Sequence, residues 1–192
     1  MSEPLETLNT ATHDAALTLL EPLVERSAWV AEKAVSHRPF ASDEDIAQNL
    51  VNALLEAKFE MRVSVFRAHP ELAGKEATEG TMTKASTVEQ DRLGLLSLSA
   101  SDAHRLRRLN AEYAARFGHP YIVALHRVSD LAQLFETFER RLNASAVEEH
   151  VSTLAEIASV IYARANAAFG PQADPLLRID CGQHSPTEAD GV

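Results

Sequence analysis

The chain has 192 residues, 45% of them hydrophobic and 24% charged, and a formal net charge of -10. That length holds one domain with a core that needs no metal or disulfide staple, and no apolar run approaches the roughly 20 residues of a membrane-spanning helix. The acidic balance repels a phosphate backbone and an anionic bilayer alike, which argues against nucleic acid and membrane as partners. An anionic small molecule stays open, because a cleft needs only one or two placed cations.

The opening segment, MSEPLETLNTATHD, has no basic or apolar block of the secretory kind, so a cytoplasmic location is expected. The single cysteine, Cys181, excludes an internal disulfide and a multi-cysteine zinc site. Apolar residues recur at three- and four-residue spacing along most of the chain, which predicts an all-α, single-domain helical bundle. Residues 13–35 read as a first helical stretch through Leu17, Leu20, Val24 and Trp29, bent at Pro22 and broken by SHRPFAS.

Ser42 and Asp45 form a capping pair ahead of one stripe, Ile46, Leu50, Leu54, Ala57, Met61 and Val65, predicting a single helix that stops near His69 because Pro70 follows. Gly74 to Ala85 lacks apolar rhythm and reads as a loop, with a short helix from Ser86 to about Leu96. Ser99 caps a helix that turns Leu106, Leu109, Tyr113 and Phe117 inward and ends at Gly118. Leu131 to Leu142 carries the next apolar face. Ser145 and Glu148 then cap a long last helix with Val147, Val151, Leu154, Ala158, Ile161, Ala165 and Ala168 in register. The polar, proline-containing 171–192 segment reads as an extension to a domain spanning 1–170.

Three residues could carry chemistry. His69 closes a helix whose unpaired carbonyls favour the imidazolium form, which suits a proton donor; the plainer reading of an isolated His-Pro is a helix cap and nothing more. Glu89 stands three residues after Ser86, so it is either the acidic arm of a capping box or a side chain facing a loop-lined cleft. Arg164 lies three and seven residues after Ile161 and Ile157, in line with the apolar face, and so needs an acidic partner such as Glu156 or Glu60, or a ligand. The histidines show no HxxxH or HExxH spacing, which leaves a metal site without support.

In order, SAWVAEKA, RPF, AHPELAGK, STVEQ, LNAEYAARFGHPYIV, RRLNAS and LAEIASVIYAR resemble the OHCU decarboxylase family, which acts on 2-oxo-4-hydroxy-4-carboxy-5-ureidoimidazoline. The resemblance covers about Leu8 to Ala168. It implies an all-helical homodimer without metal or organic cofactor that converts this ureidoimidazoline to (S)-allantoin in urate catabolism. By resemblance His69 is the catalytic proton donor and Glu89 and Arg164 its charged partners. Pro70, Ser86, Gln90, Tyr121, Ile122, Val123, Ala124 and Leu125 would be substrate contacts. Where the family usually has Phe-Gly-Phe-Pro-Phe, this chain has Phe117-Gly118-His119-Pro120-Tyr121, which puts a polar ring beside the expected pocket. It also has Ser27-Ala28-Trp29 in place of Ser-Pro-Trp. The reading from another class is a non-catalytic helical binding or regulatory module on the same scaffold.

Overall fold

The computed structural model describes residues 2–171, and among these every regular element is helical. Residues 172–192, and with them Cys181 and most of the expected C-terminal extension, lie outside the described residues.

Ten α-helices are described: α1 (Glu3–Thr10), α2 (His13–Leu20), α3 (Ala28–Val35), α4 (Asp43–Leu55), α5 (Phe59–Ala68), α6 (Lys75–Glu79), α7 (Lys84–Arg92), α8 (Ala100–Phe117), α9 (Leu131–Leu142) and α10 (Ala146–Phe169). The long elements start and stop where their caps dictate. Ser99 accepts the Asp102 amide at the head of α8, and Gly118 takes the left-handed conformation that ends it. At the head of α10 Ser145 and Glu148 close a reciprocal capping box.

Four expectations change. The 13–35 stretch is two helices, separated by a 3-10 turn at Glu21–Leu23 and an irregular corner in which Arg26 has φ +50. Pro22 lacks the amide a continuing helix would need, so the chain breaks there instead of bending. The single stripe from Ile46 to Val65 is also two helices. The Glu56 amide turns back to Asn52 and Leu54, and Lys58 is extended, which leaves Met61 exposed and buries Val65 and Phe66. In the Gly74–Ala85 loop a short helix forms, Lys75–Glu79. On α10, Val147 and Val151 are 74% and 60% exposed, so its buried face begins at Glu149 and becomes apolar only from Leu154.

Two apolar clusters organise the packing. In the first, α10 and α3 pack on α4 and α2 on α3, around Leu20, Val35, Ile46, Leu50, Leu54, Phe66 and Ile157. The second gathers Leu106, Leu109 and Tyr113 of α8 with Leu134, Phe135 and Phe138 of α9. Between them runs the extended segment Tyr121–Ala124. Its alternation sends Ile122 into the first cluster and Tyr121 and Val123, with Leu125 beyond, into the second.

Charged side chains fix this segment. Arg141, 3% exposed, donates to the Ile122 carbonyl at 2.7 Å and pairs with Glu149, itself hydrogen-bonded by Tyr113. The Ala124 amide donates to Glu156 at 2.8 Å, and Arg92 donates to the Leu125 and Val128 carbonyls. At the other end of the fold Arg38, of the RPF motif, donates to the Leu8 and Ala11 carbonyls and secures the end of α1.

Candidate functional site

His69 is the C-cap of α5, held extended at φ -72 and ψ 141 as a residue before proline must be. Its Nδ1 lies 2.9 Å from the Val65 carbonyl, an acceptor only, so Nδ1 carries a proton and Nε2 is the atom left to exchange one with a ligand. Beyond Pro70 the chain turns tightly through Ala73, at φ +47, and Gly74, where a Cβ would come within 2.7 Å of the Glu71 Cβ. Buried Gln90 secures that turn, its Oε1 accepting from the Ala73 amide at 2.8 Å.

The start of α7 differs from the expected capping box. Thr83 is the N-cap and accepts the Ser86 amide, so Ser86 and Glu89 are released from capping. Both turn toward Arg164. The Arg164 Nε donates to Glu89 Oε1 at 2.7 Å and NH2 to Glu89 Oε2 at 2.9 Å. NH2 also reaches the Ser86 hydroxyl at 3.4 Å, and NH1 donates to Glu25 Oε2 at 3.1 Å and the Pro22 carbonyl at 3.3 Å. A guanidinium has five N–H bonds, and five acceptors surround this one. Its partners are therefore Glu89 and Glu25; the expected candidates Glu156 and Glu60 are not among them.

Glu25, absent from the sequence expectations, is the second carboxylate. It projects from the corner between α2 and α3 and is 2% exposed. Its carboxylate accepts from Thr83 Oγ1 at 2.9 and 3.0 Å and from Ser86 Oγ at 2.7 Å. Burial alone would raise its pKa, but Arg164, the Ser86 hydroxyl, His69 and Thr83 outweigh that and hold it below the ordinary 4.5. Arg164 is likewise kept charged. Burial opposes its charge, and hydrogen bonds and charge from Glu89 and Glu25 more than restore it.

His69 behaves otherwise than its place at a helix end suggests. Burial pushes its pKa below the ordinary 6.5, with Arg164 acting the same way, and the Val65 carbonyl, Glu25 and Glu89 oppose this only in part. The ring therefore favours its neutral form at neutral pH. Desolvation outweighs the helix-end preference.

A cavity of about 30 Å³ joins these groups, and His69, Pro70, Ser86, Glu89, Gln90, Tyr121, Ile122, Val123, Leu125 and Arg164 all line it. Leu72 and Val160 complete the wall. Ala124, the remaining expected contact, is not part of it, because its amide turns the other way, to Glu156. Nor is His119, which is 7% exposed and packs edge-on against Phe66 and Tyr113, its Nδ1 donating to the Pro120 carbonyl at 2.9 Å. Among the described residues no group of three or more His, Cys, Asp or Glu side chains is placed to hold a metal ion, and no helix is long and apolar enough to cross a membrane.

The arrangement offers one neutral base or acid and one fully paired cation on a partly apolar wall. Known proteins with similar sequences carry the same kind of name. The profile of the OHCU decarboxylase family matches residues 9–166. The mouse 2-oxo-4-hydroxy-4-carboxy-5-ureidoimidazoline decarboxylase is 33% identical over 148 residues, 77% of this chain and 83% of the mouse protein. The protein of that name from Haloferax volcanii is 33% identical over 168 residues, 88% of this chain and 97% of its own.

Two solved structures share the fold. A crystal structure of (S)-allantoin synthase superposes with a TM-score of 0.67 at 18% identity over 85% of this chain, which spans 52% of that longer chain. A crystal structure of OHCU decarboxylase in the presence of (S)-allantoin gives 0.58 at 16% identity over 73% of this chain and 89% of its own. From the matched length, the level of identity and the shared helical fold, the chain belongs to the OHCU decarboxylase family.

Proposed function

We propose that the chain decarboxylates 2-oxo-4-hydroxy-4-carboxy-5-ureidoimidazoline to (S)-allantoin, with His69 as proton donor. The observation that carries this reading is the convergence of His69, Glu89 and Arg164 on one cavity in a member of this family. The bond between the ring and its carboxylate breaks and carbon dioxide leaves, while the electron pair moves into the adjoining C=N bond. One proton then returns to the carbon that becomes the stereocentre, and the hydroxyl-bearing carbon becomes a carbonyl. The net change is an anion and one proton giving carbon dioxide and a neutral product.

The chain's residues divide that work. A substrate anion brings negative charge beside a ring that burial keeps neutral, and so favours the imidazolium at the moment the proton is needed. Arg164 turns the Nε–NH2 fork, which Glu89 holds, to an anionic or carbonyl oxygen. Glu89, with its side chain 30% exposed, is the partner with room to move aside and accept from the ureide or ring nitrogens. Val123 and Leu125 line the same space, and the apolar wall excludes water from the carbanion.

We further infer a cytoplasmic homodimer. Phe59 stacks on His150 at 4.9 Å beside the exposed Val147 and Val151, a surface that a second copy would cover. Light scattering of the purified chain reads the mass directly. The activity is tested by stopped-flow circular dichroism with freshly generated substrate. The (S)-enantiomer forming faster than the spontaneous reaction supports the proposal, and racemic product at the spontaneous rate rejects it.

A further inference from the structure

The reaction above leaves unused the most deeply buried carboxylate of the site. Glu25 does not line the substrate cavity. It lines a second, internal cavity of about 10 Å³, the scale of a single water molecule, and His69 lines both. The imidazole, with the Val160 side chain beside it, therefore stands between the space for substrate and the space shared with Glu25. The rest of the inner wall is apolar, with Leu54, Val65, Ile157 and Val160 among its residues, so little screens the carboxylate from the ring.

Glu25 is also the fixed member of the pair that holds Arg164. Thr83 and Ser86 hydroxyls hold its carboxylate from α7 while NH1 of Arg164 meets it from α10. When Glu89 releases the guanidinium fork to a ligand, the contact with Glu25 and the Pro22 carbonyl is what keeps Arg164 in place. We propose that Glu25 is a positioning residue: it anchors Arg164 from beneath the site and sets a permanent negative charge on the inner side of the His69 ring. This deepens the proposed decarboxylase reading and rests on it.

The charged groups around His69 are Glu25 from the corner after α2, Glu89 from α7 and Arg164 from α10; α4 contributes Leu54 and α5 Val65, both apolar. Of the two carboxylates, only Glu25 stays in place when Glu89 turns to a ligand. Its loss makes the imidazolium harder to form at the step that needs it.

The test compares the full-length wild type with Glu25→Gln and Glu25→Asp. The His69 ring signal is followed by NMR against pH, assigned by its absence in His69→Asn, and kcat and KM are measured against pH with freshly generated substrate. In Glu25→Gln the His69 midpoint falls by about one pH unit, as expected on removing a nearby opposite charge. The limb on which kcat falls with rising pH moves down with it, and kcat drops at least about tenfold while KM changes less. Glu25→Asp, which keeps the charge on a shorter arm, falls between wild type and Gln in both readouts. If Glu25→Gln does not fold, a His69 midpoint and a falling kcat limb that both lie below the wild-type values in Glu25→Asp decide the matter alone. An unchanged His69 midpoint and pH profile in either folded variant overturns the inference. A wild type no faster than the spontaneous reaction would reject the decarboxylase reading instead, and the NMR titration would still decide the contact between Glu25 and His69.

Discussion

Arg164 of α10 closes a two-point hydrogen bond on Glu89 of α7, Nε to Oε1 at 2.7 Å and NH2 to Oε2 at 2.9 Å, across 75 residues of sequence. This is the geometry in which a guanidinium holds a substrate carboxylate, and here an internal side chain takes that place. Lysine cannot reproduce the fork. Arg164→Lys should keep the fold and lose about 10²-fold or more in kcat/KM, measured by stopped-flow circular dichroism with freshly generated substrate.

Arg164→Met tests the stabilising role of the same side chain. It leaves the Glu25 carboxylate in the core without a counter-charge, and breaking a buried pair costs about 3–5 kcal/mol. At this chain length the melting temperature should drop by roughly 10 °C. Adding Glu25→Gln to Arg164→Met should recover most of that loss, because neither charge is then left buried; thermal melts of the two single variants and the double variant check it.

Four histidines make stability fall on acidification. His69, His119, His126 and His150 all have pKa values below the ordinary 6.5, in each case with burial as the largest cause. Below 6.5 the unfolded chain therefore binds more protons than the folded one, and stability is lost as pH falls through the lower folded values. Glu25, held below 4.5, loses its contribution only at still lower pH. The urea midpoint should be lower at pH 5.5 than at pH 7.5. His119→Phe should flatten that dependence, since its ring is enclosed by Phe66, Tyr113 and Phe117 and takes no direct part in the cavity.

Arg141 supports the site from behind. Its contacts with Glu149, Thr153 and the Ile122 carbonyl, and its place over the Tyr121 ring, join α9 and α10 to the cavity wall. Arg141→Met should cost about 3–5 kcal/mol by leaving Glu149 uncompensated, read from urea denaturation. Hydrogen exchange of the Val123 and Leu125 amides should accelerate with it.

The residues of the site were legible in proportion to the local signals around them. Pro70 stops α5 at His69, and the apolar spacing of α10 points Arg164 inward, so both could be read directly. The acidic partner of Arg164 could not be chosen, because α7 meets α10 only in the folded chain. Glu25 went unnoticed for a related reason. With 13–35 read as one bent helix it was another charged position, and only the irregular corner after Pro22 turns it beneath the site. Arg141 carried a usable signal, three residues after Phe138 and seven after Leu134 on the apolar face of α9, the same reasoning that singled out Arg164. The break between α4 and α5 had no glycine or proline to announce it.

Proton delivery by His69 is tested most directly by stopped-flow circular dichroism on His69→Asn beside wild type, each mixed with freshly generated 2-oxo-4-hydroxy-4-carboxy-5-ureidoimidazoline. The predicted result is a turnover about 10²- to 10⁴-fold lower, an unchanged melting temperature and loss of the optical signal of (S)-allantoin as racemic product forms. A His69→Asn variant that makes (S)-allantoin at the wild-type rate would contradict it.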